Sequence, residues 1–317
     1  MKIVVTGGAG FIGSHLVDRL LADGHQVIAL DNFDPFYAGS LKRGNLRGAL
    51  ANEEFRLVEL DICNRPLLLK TIRATRPEVI VHLAARAGVR PSIADPGGYA
   101  ATNINGTIHL LEAACQLDPR PRFIFASSSS VYGDRRDAPF RENDGVEYPV
   151  SPYAATKKAT EVFVYTYHHL HSLSATGLRF FTAYGPRNRP DLAIARFADL
   201  MEAGQPIPMF GDGTTRRDYT YIADIVDGIV RAIHHCSGYH IYNLGHSEPV
   251  ELREMIRMLS EALGIVPELN WLPEQPGDVQ QTYADITLAQ RELGYQPRTP
   301  FLEGLRHYVE WRRHRES

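Results

Sequence analysis

The stretch from Ile3 to Gly13 constrains the rest of the chain most. Ile3, Val4 and Val5 form a short apolar, β-branched run, and Thr6-Gly7-Gly8-Ala9-Gly10-Phe11-Ile12-Gly13 follows without a break. Ser14 to Leu21 then reads as a helix, with Ile12, Leu16, Leu20 and Leu21 spaced for one buried face. A buried strand thus runs into a glycine-rich turn that opens a helix. Gly7, Gly10 and Gly13 are spaced G-x-x-G-x-x-G. In such a turn one glycine makes the bend, one lets a pyrophosphate approach the backbone, and one lets helix and strand pack closely. The helix N-terminus offers unpaired N–H groups and a partial positive charge to phosphates.

A glycine triplet alone does not separate a ligand loop from a structural turn; its context does. A second apolar run, Gln26 to Leu30, ends at Asp31, 18 residues after Gly13. A carboxylate there accepts hydrogen bonds from an adenosine ribose and repels a 2′-phosphate, so NAD is expected rather than NADP. Asn32, beside it, either joins that site or shapes the turn.

The first half of the chain alternates strand and helix. Strand-like runs are Lys2 to Val5, Gln26 to Leu30, Phe55 to Leu60, Val79 to Leu83, Arg122 to Ala126 and Ala175 to Phe180. Helical stretches fall between them, notably Arg65 to Thr75, Ala101 to Cys115 and Tyr153 to Leu170. This pattern predicts an α/β, Rossmann-like, doubly wound parallel sheet covered on both faces. Past Pro186 prolines and glycines become frequent, and helices are expected at Ile222 to His234, Leu252 to Leu263 and Phe301 to Arg313. The expected division is a dinucleotide-binding domain over residues 1–185 and a smaller C-terminal α/β substrate-binding lobe over 186–317. The cleft should lie between them, outside the carboxyl ends of the strands.

Bulk properties narrow the partners. The net charge of −3 over 317 residues does not suggest nucleic acid or a membrane surface as a partner. No apolar run is long enough to span a membrane. The strand-like start at Lys2 does not fit a signal peptide. Three cysteines, Cys63, Cys115 and Cys236, form no disulfide framework and suit a cytoplasmic protein with reduced thiols. The histidine pairs at 168–169 and 234–235 lack acidic or cysteine partners at ligand spacing, so no metal site is expected.

Tyr153-Ala-Ala-Thr-Lys157 puts a phenol and an ammonium four residues apart, on one face of a helix. A cation favours the phenolate, and a phenol so tuned can act as a general base. The same spacing also occurs on solvated helix faces. Ala126-Ser127-Ser128-Ser129-Ser130-Val131-Tyr132-Gly133 follows directly on a strand, so its hydroxyls either point into the cleft or cap the strand. No G-x-S-x-G elbow surrounds these serines, which argues against a serine nucleophile.

Together, the glycine motif, His82-Leu83-Ala84-Ala85, the Ser127 to Gly133 segment and Tyr153-x-x-x-Lys157 resemble the extended short-chain dehydrogenase/reductase superfamily, over essentially the whole chain. Leu178 to Pro186, Gly211-Asp212-Gly213 and Arg217-Asp218-Tyr219 resemble nucleotide-sugar epimerases. Gly88-Val89-Arg90-Pro91-Ser92, Arg189-Pro190-Asp191 and Gln275-Pro276-Gly277-Asp278-Val279 are most similar to UDP-glucuronate 4-epimerases.

The resemblance implies an NAD-dependent 4-epimerase acting on a UDP-sugar through a 4-keto intermediate. Tyr153 is then the base, Lys157 the ligand of the nicotinamide ribose, and Ser128 the catalytic hydroxyl. Cofactor contacts fall to Gly7, Gly10, Phe11, Ile12, Gly13, Asp31, Asn32, Asp61, Ile62, Leu83, Ala84, Ala85 and Phe181. Substrate contacts fall to Ser129, Ser130, Arg217 and Asp278, with Thr182, Arg189 and Arg90 as candidates for a uronate carboxylate. Related proteins pair the helices around Ala101 to Cys115 and Tyr153 to Leu170, so a homodimer is expected. An Arg near Gln275, common in UDP-galactose 4-epimerases, is absent. Alternatives are a UDP-glucose or UDP-N-acetylhexosamine 4-epimerase, a sugar-nucleotide decarboxylase, a 4,6-dehydratase, and a non-catalytic NAD-sensing protein. A dehydratase commonly carries Asp-Glu where Ser129-Ser130 stands here.

Overall fold

A computed structural model describes residues 1–273 and 279–315. Strands β1 (Lys2–Thr6), β2 (Gln26–Asp31), β3 (Phe55–Glu59), β4 (Val79–His82), β5 (Arg122–Ser128) and β6 (Ala175–Phe180) follow the sequence expectation closely. Between them run α1 (Phe11–Ala22), α2 (Gly39–Asn45), α3 (Arg65–Thr75), α4 (Val89–Ala94), α5 (Pro96–Ala100), α6 (Gly106–Cys115) and α7 (Pro152–His171). The expected helix from Ala101 is not regular at its start. Residues Ala101–Asn105 form a π-helical turn before α6.

The later chain adds β7 (Thr182–Tyr184), α8 (Ala193–Glu202), β8 (Ile207–Phe210), β9 (Arg216–Tyr221) and α9 (Ile222–His235). Then come β10 (Tyr239–Leu244), β11 (Pro249–Glu251), α10 (Leu252–Leu263), β12 (Leu269–Leu272), α11 (Thr287–Leu293) and α12 (Phe301–Arg315).

The main sheet has seven strands in the order β3-β2-β1-β4-β5-β6-β10, each neighbouring pair parallel. Chain order reverses between β1 and β4, and that switch point is where such sheets bind ligands. Alternation along the strands sends Ile3, Val5, Val27 and Val81 to one face, against α1 and α9. Val4, Ile28, Ile80 and Phe123 face the other way, against α3, α6 and α7. Both faces are buried, which is why these strands read as nearly continuous apolar runs.

A smaller core gathers α8, α10 and α12 around Tyr184, Met209 and Tyr219. It carries a three-stranded sheet, β7-β9-β11, and a two-stranded one, β8-β12. Yet β10 pairs with β6 in the main sheet, and α9 packs beneath it. The chain beyond residue 186 therefore supplies both the small lobe and one edge of the large one. No described helix is long and apolar enough to cross a membrane.

Candidate active site

The carboxyl ends of β1, β2, β4, β5 and β6 open into a cavity of about 480 Å³, a size suited to a cofactor or small ligand. At its floor the turn after β1 is fixed by close approach. Gly7 has φ +70°, and a Cβ there would stand 2.7 Å from the Ala84 nitrogen. A Cβ on Gly13 would stand 2.1 Å from the Gly7 carbonyl oxygen. Gly10 caps α1 with no side-chain hydrogen bond, which leaves the first N–H groups of the helix for an anion. Gly7, Gly10, Phe11, Ile12 and Gly13 all line the cavity.

Asp31 is buried at the end of β2 and held by two backbone donors, Ala9 N at 3.0 Å and Phe33 N at 2.8 Å. Each carboxylate oxygen keeps further acceptor capacity, so an oriented anion faces the cavity. The Asn32 side chain donates to Asp61 at 3.1 Å. Burial works to raise the Asp61 pKa, but donors from Cys63 and Asn32 win and lower it. Leu83, Ala84 and Ala85 leave β4 along the cavity wall, with Ile62 and Phe181 also exposed to it. A glycine cradle, an uncapped helix end and a fixed carboxylate at the switch point fit NAD.

His82, just before this wall, bridges Thr6 at 2.8 Å and Thr107 at 2.9 Å. Burial lowers its pKa to about 3, so it is a neutral structural link.

Ser151 caps α7 by accepting from Ala154 N at 3.1 Å, and Pro152 takes the first helical position. That cap places Tyr153 in the first turn, where the helix dipole favours negative charge. Lys157, one turn on, donates from Nζ to the Ala126 carbonyl at 2.9 Å. Burial lowers the Lys157 pKa to about 8. Burial raises the pKa of Tyr153, while the nearby Ser128 hydroxyl and the charge of Arg189 act to pull it down. Ser128 Oγ also accepts from Ser130 N at 3.1 Å and hydrogen-bonds Ser130 Oγ at 3.1 Å. The charge that acts on the phenol in this structure is therefore that of Arg189, with Lys157 tied to the strand.

Arg189 lines the cavity with Ser129, Ser130 and Thr182. Its Nε and Nη2 donate to Asp191 at 3.0 and 2.6 Å, and its guanidinium lies 5.3 Å from the centre of the Phe36 ring. Arg90 and Arg217 are not among the lining residues. The Arg90 guanidinium lies 5.5 Å from the Phe210 ring centre. Arg217, on β9, donates to the Arg216 carbonyl at 2.8 Å. Asp278 lies outside the described residues.

Sequence reasoning missed Asp34, Phe36, Tyr37, Lys42 and Arg86, which also line the cavity. Lys42 is buried and donates to the Asp34 carbonyl at 2.7 Å. Arg86 Nη2 lies 3.6 Å from Asp34, and Nη1 lies 2.5 Å from Asp95. The usable signal was topological, since segments leaving the carboxyl ends of β2 and β4 must border the cleft. Among the described residues no group of three His, Cys, Asp or Glu is placed to hold a metal ion.

A family model described as GDP-mannose 4,6 dehydratase matches residues 4–308. UDP-glucuronate 4-epimerase 4 of Arabidopsis thaliana is 42% identical over 328 residues, covering 98% of this chain and 75% of that protein. The crystal structure of UDP-glucuronic acid 4-epimerase from Bacillus cereus, in complex with UDP-glucuronic acid and NAD, matches with a TM-score of 0.92. It is 37% identical, over 99% of both chains. UDP-glucose 4-epimerase from Thermotoga maritima, with UDP-glucose, matches with a TM-score of 0.92 at 33% identity over 100% of both chains.

Proposed function

The chain belongs to the extended short-chain dehydrogenase/reductase superfamily, in the family described as GDP-mannose 4,6 dehydratase, and on that premise we propose that it is an NAD-dependent 4-epimerase converting UDP-glucuronate to UDP-galacturonate. The observation that carries the choice of sugar is Arg189, which lines the same cavity as Tyr153 and Ser128. A uronate places a carboxylate beside the reacting carbon, and a charge-assisted partner there gives both affinity and geometry. Asp191 takes Nε and Nη2, and in this reading Nη1, outside that pair, would meet the uronate carboxylate.

The cofactor would lie with its diphosphate over Gly7, Gly10, Phe11, Ile12 and Gly13. Asp31 and Asn32 would hold the adenosine ribose, and Asp61 and Ile62 would flank the adenine. Leu83, Ala84, Ala85 and Lys157 would line its middle, with Phe181 at the nicotinamide end. Bound there, NAD+ would supply the acceptor and donor of the C4 hydride, and its positive ring would add to the charge favouring the Tyr153 phenolate.

Tyr153 Oη takes the proton of the C4 hydroxyl and later gives it back, with Ser128 Oγ as the companion hydrogen bond. Ser129, Ser130 and Thr182 bound the space in which the sugar turns over. Arg217 on β9 is assigned to the diphosphate, Arg90 to the rim near the uronate, and Asp278 to the substrate through its motif. Oxidation at C4 of a uronate leaves a ketone β to the carboxylate, which sheds CO2 when the C5–C6 bond aligns with the ketone π system. In this account Arg189 holds the carboxylate away from that alignment. Ser129 and Ser130 offer no carboxylate for the acid–base elimination of a dehydratase, although the family is described by one.

A cytoplasmic homodimer completes the proposal. Val162 and Tyr165 on α7 are each 52% exposed, which leaves apolar surface for a second copy. The three cysteines are unpaired, which suits a reducing compartment. The test of function is proton NMR of the purified enzyme with UDP-glucuronate, then with UDP-glucose. UDP-galacturonate without UDP-pentose is expected. Turnover of UDP-glucose alone would move the protein to the neutral-sugar epimerases.

A further inference from the structure

Directly behind the proposed catalytic groups lies a buried polar network with no part in the chemistry described so far. Tyr153, Lys157 and Glu161 stand four residues apart on α7, so they share one face. Each engages the end of β5. Tyr153 lies beside Ser128, whose hydroxyl acts to lower the phenol pKa, Lys157 donates to the Ala126 carbonyl, and Glu161 Oε1 accepts from Ser127 Oγ at 2.7 Å. Three turns of one helix therefore grip three consecutive residues of one strand.

Glu161 is only 3% exposed, and so is its partner Arg179 on β6. The pair is bidentate, with Nε to Oε1 at 2.8 Å and Nη2 to Oε2 at 3.0 Å. Arg179 Nη1 donates to the Tyr132 hydroxyl at 2.9 Å and the Glu142 carbonyl at 3.2 Å. Tyr132 in turn donates to Asn243 on β10 at 2.7 Å. Lys158 Nζ lies 3.5 Å from Glu161, and Tyr239 donates to the Glu161 carbonyl at 3.0 Å. A fully paired network of this kind is rigid, and replacing one member leaves the others buried and unpaired.

We propose that Glu161, held by Arg179, is a positioning residue that acts through Ser127 to fix the Ser128 hydroxyl against the Tyr153 phenol. Glu161 is not among the residues that line the cavity, whereas Ser127 and Ser128 are. Ser127 and Ser128 are adjacent on β5, so anchoring the Ser127 side chain fixes the peptide that carries Ser128. The charge of Glu161 matters because it aligns both Ser127 and Arg179 at once. The proposal rests on Tyr153 acting as the base. The groups facing that phenol are Ser128 from β5, Tyr99 from α5 with ring centres 6.3 Å apart, and Arg189 from the segment before α8, while Lys157 on α7 itself is turned to the Ala126 carbonyl.

Truncating Glu161 would strand the Arg179 charge and could unfold the protein, so the test is made on Ser127. Ser127→Ala removes one hydrogen bond and leaves the bidentate pair intact. Its kcat for the UDP-sugar is expected to fall about tenfold, since small misplacements of reacting groups carry penalties of that size or more. The acid limb of its kcat–pH profile should move to higher pH, because the phenolate loses its Ser128 hydrogen bond. KM should be unchanged, and Ser127→Thr, which keeps the hydroxyl, should restore both kcat and the limb. An unmoved limb in Ser127→Ala overturns the proposal, and so does equal impairment of the alanine and threonine variants. Activity surviving in Tyr153→Phe would instead remove the base on which the proposal rests, a separate failure read in a separate variant.

Discussion

Lys157 Nζ donates to the Ala126 carbonyl at 2.9 Å in a place where burial lowers its pKa to about 8. The ammonium is thus held at a cost in stability. Its folded pKa lies below the 10.5 of free lysine, so between those values the unfolded chain binds more protons. Stability contributed by this residue therefore rises as pH climbs through that window. At neutral pH both states carry the charge, and its burial costs roughly 3–4 kcal/mol. Lys157→Met should raise the melting temperature at neutral pH and abolish most turnover, with the gap in melting temperature narrowing as the medium becomes alkaline. Differential scanning calorimetry across that pH range checks it; a melting gap independent of pH would contradict it.

Tyr153→Phe keeps the ring and removes only the proton acceptor. Its kcat should fall by about two to four orders of magnitude, the usual contribution of a positioned base. NAD content, read from absorbance of the purified protein, should be unchanged, because the ring still packs edge-on against Tyr99.

Arg189→Met should separate the two sugars. A charge-assisted hydrogen bond to a carboxylate is worth about 1.5–3 kcal/mol, so kcat/KM for UDP-glucuronate should drop about 10- to 100-fold. Turnover of UDP-glucose, if any is present in the parent, should change far less. A small amount of UDP-pentose from UDP-glucuronate is also expected, since the carboxylate is no longer restrained. Steady-state kinetics with NMR product analysis reads both effects.

Asp31→Asn leaves the fold of the β2 end in place and removes its charge. NAD affinity should weaken by about tenfold, and discrimination against the 2′-phosphate of NADP should weaken with it. Lys42, buried nearby and electrostatically coupled to Asp31, would then favour the added phosphate. Titration of cofactor-stripped protein with each dinucleotide measures the ratio.

Much of the fold was legible because burial on both faces makes parallel strands plain in sequence. Arg65–Thr75 and Leu252–Leu263 coincide with α3 and α10 end to end. Asn64 accepts from Leu67 N, and Gly264 takes the left-handed conformation, so both boundaries have local chemistry behind them. By contrast, β10 escaped notice. Its first half, Tyr239 to Ile241, is only half-buried, and its partner β6 lies some sixty residues earlier, so no local periodicity marks it. The π-helical turn at Ala101–Asn105 follows from tertiary contacts. Asn103 there binds the Arg86 backbone on both sides and Thr156 at 2.9 Å, which no helix pattern records.

Within the site, the residues found from sequence were those on motifs at strand ends. Of those missed, Asp34, Phe36, Tyr37 and Lys42 sit on the polar segment after β2, whose composition resembles any exposed loop, and Arg86 follows the Leu83 to Ala85 wall. Arg90 and Arg217 lie outside this cavity's lining, and their contact with the substrate rests on their motifs. A guanidinium sits on a long, flexible stem, so its place in sequence fixes its reach poorly.

The most direct test uses UDP-glucuronate carrying deuterium at C4, incubated with the enzyme in ordinary water without added cofactor. The account predicts UDP-galacturonate that keeps the deuterium at C4 and the carboxylate at C6, seen together by NMR and mass spectrometry. Loss of the label to solvent, release of CO2 as the main course, or no conversion at all would contradict it.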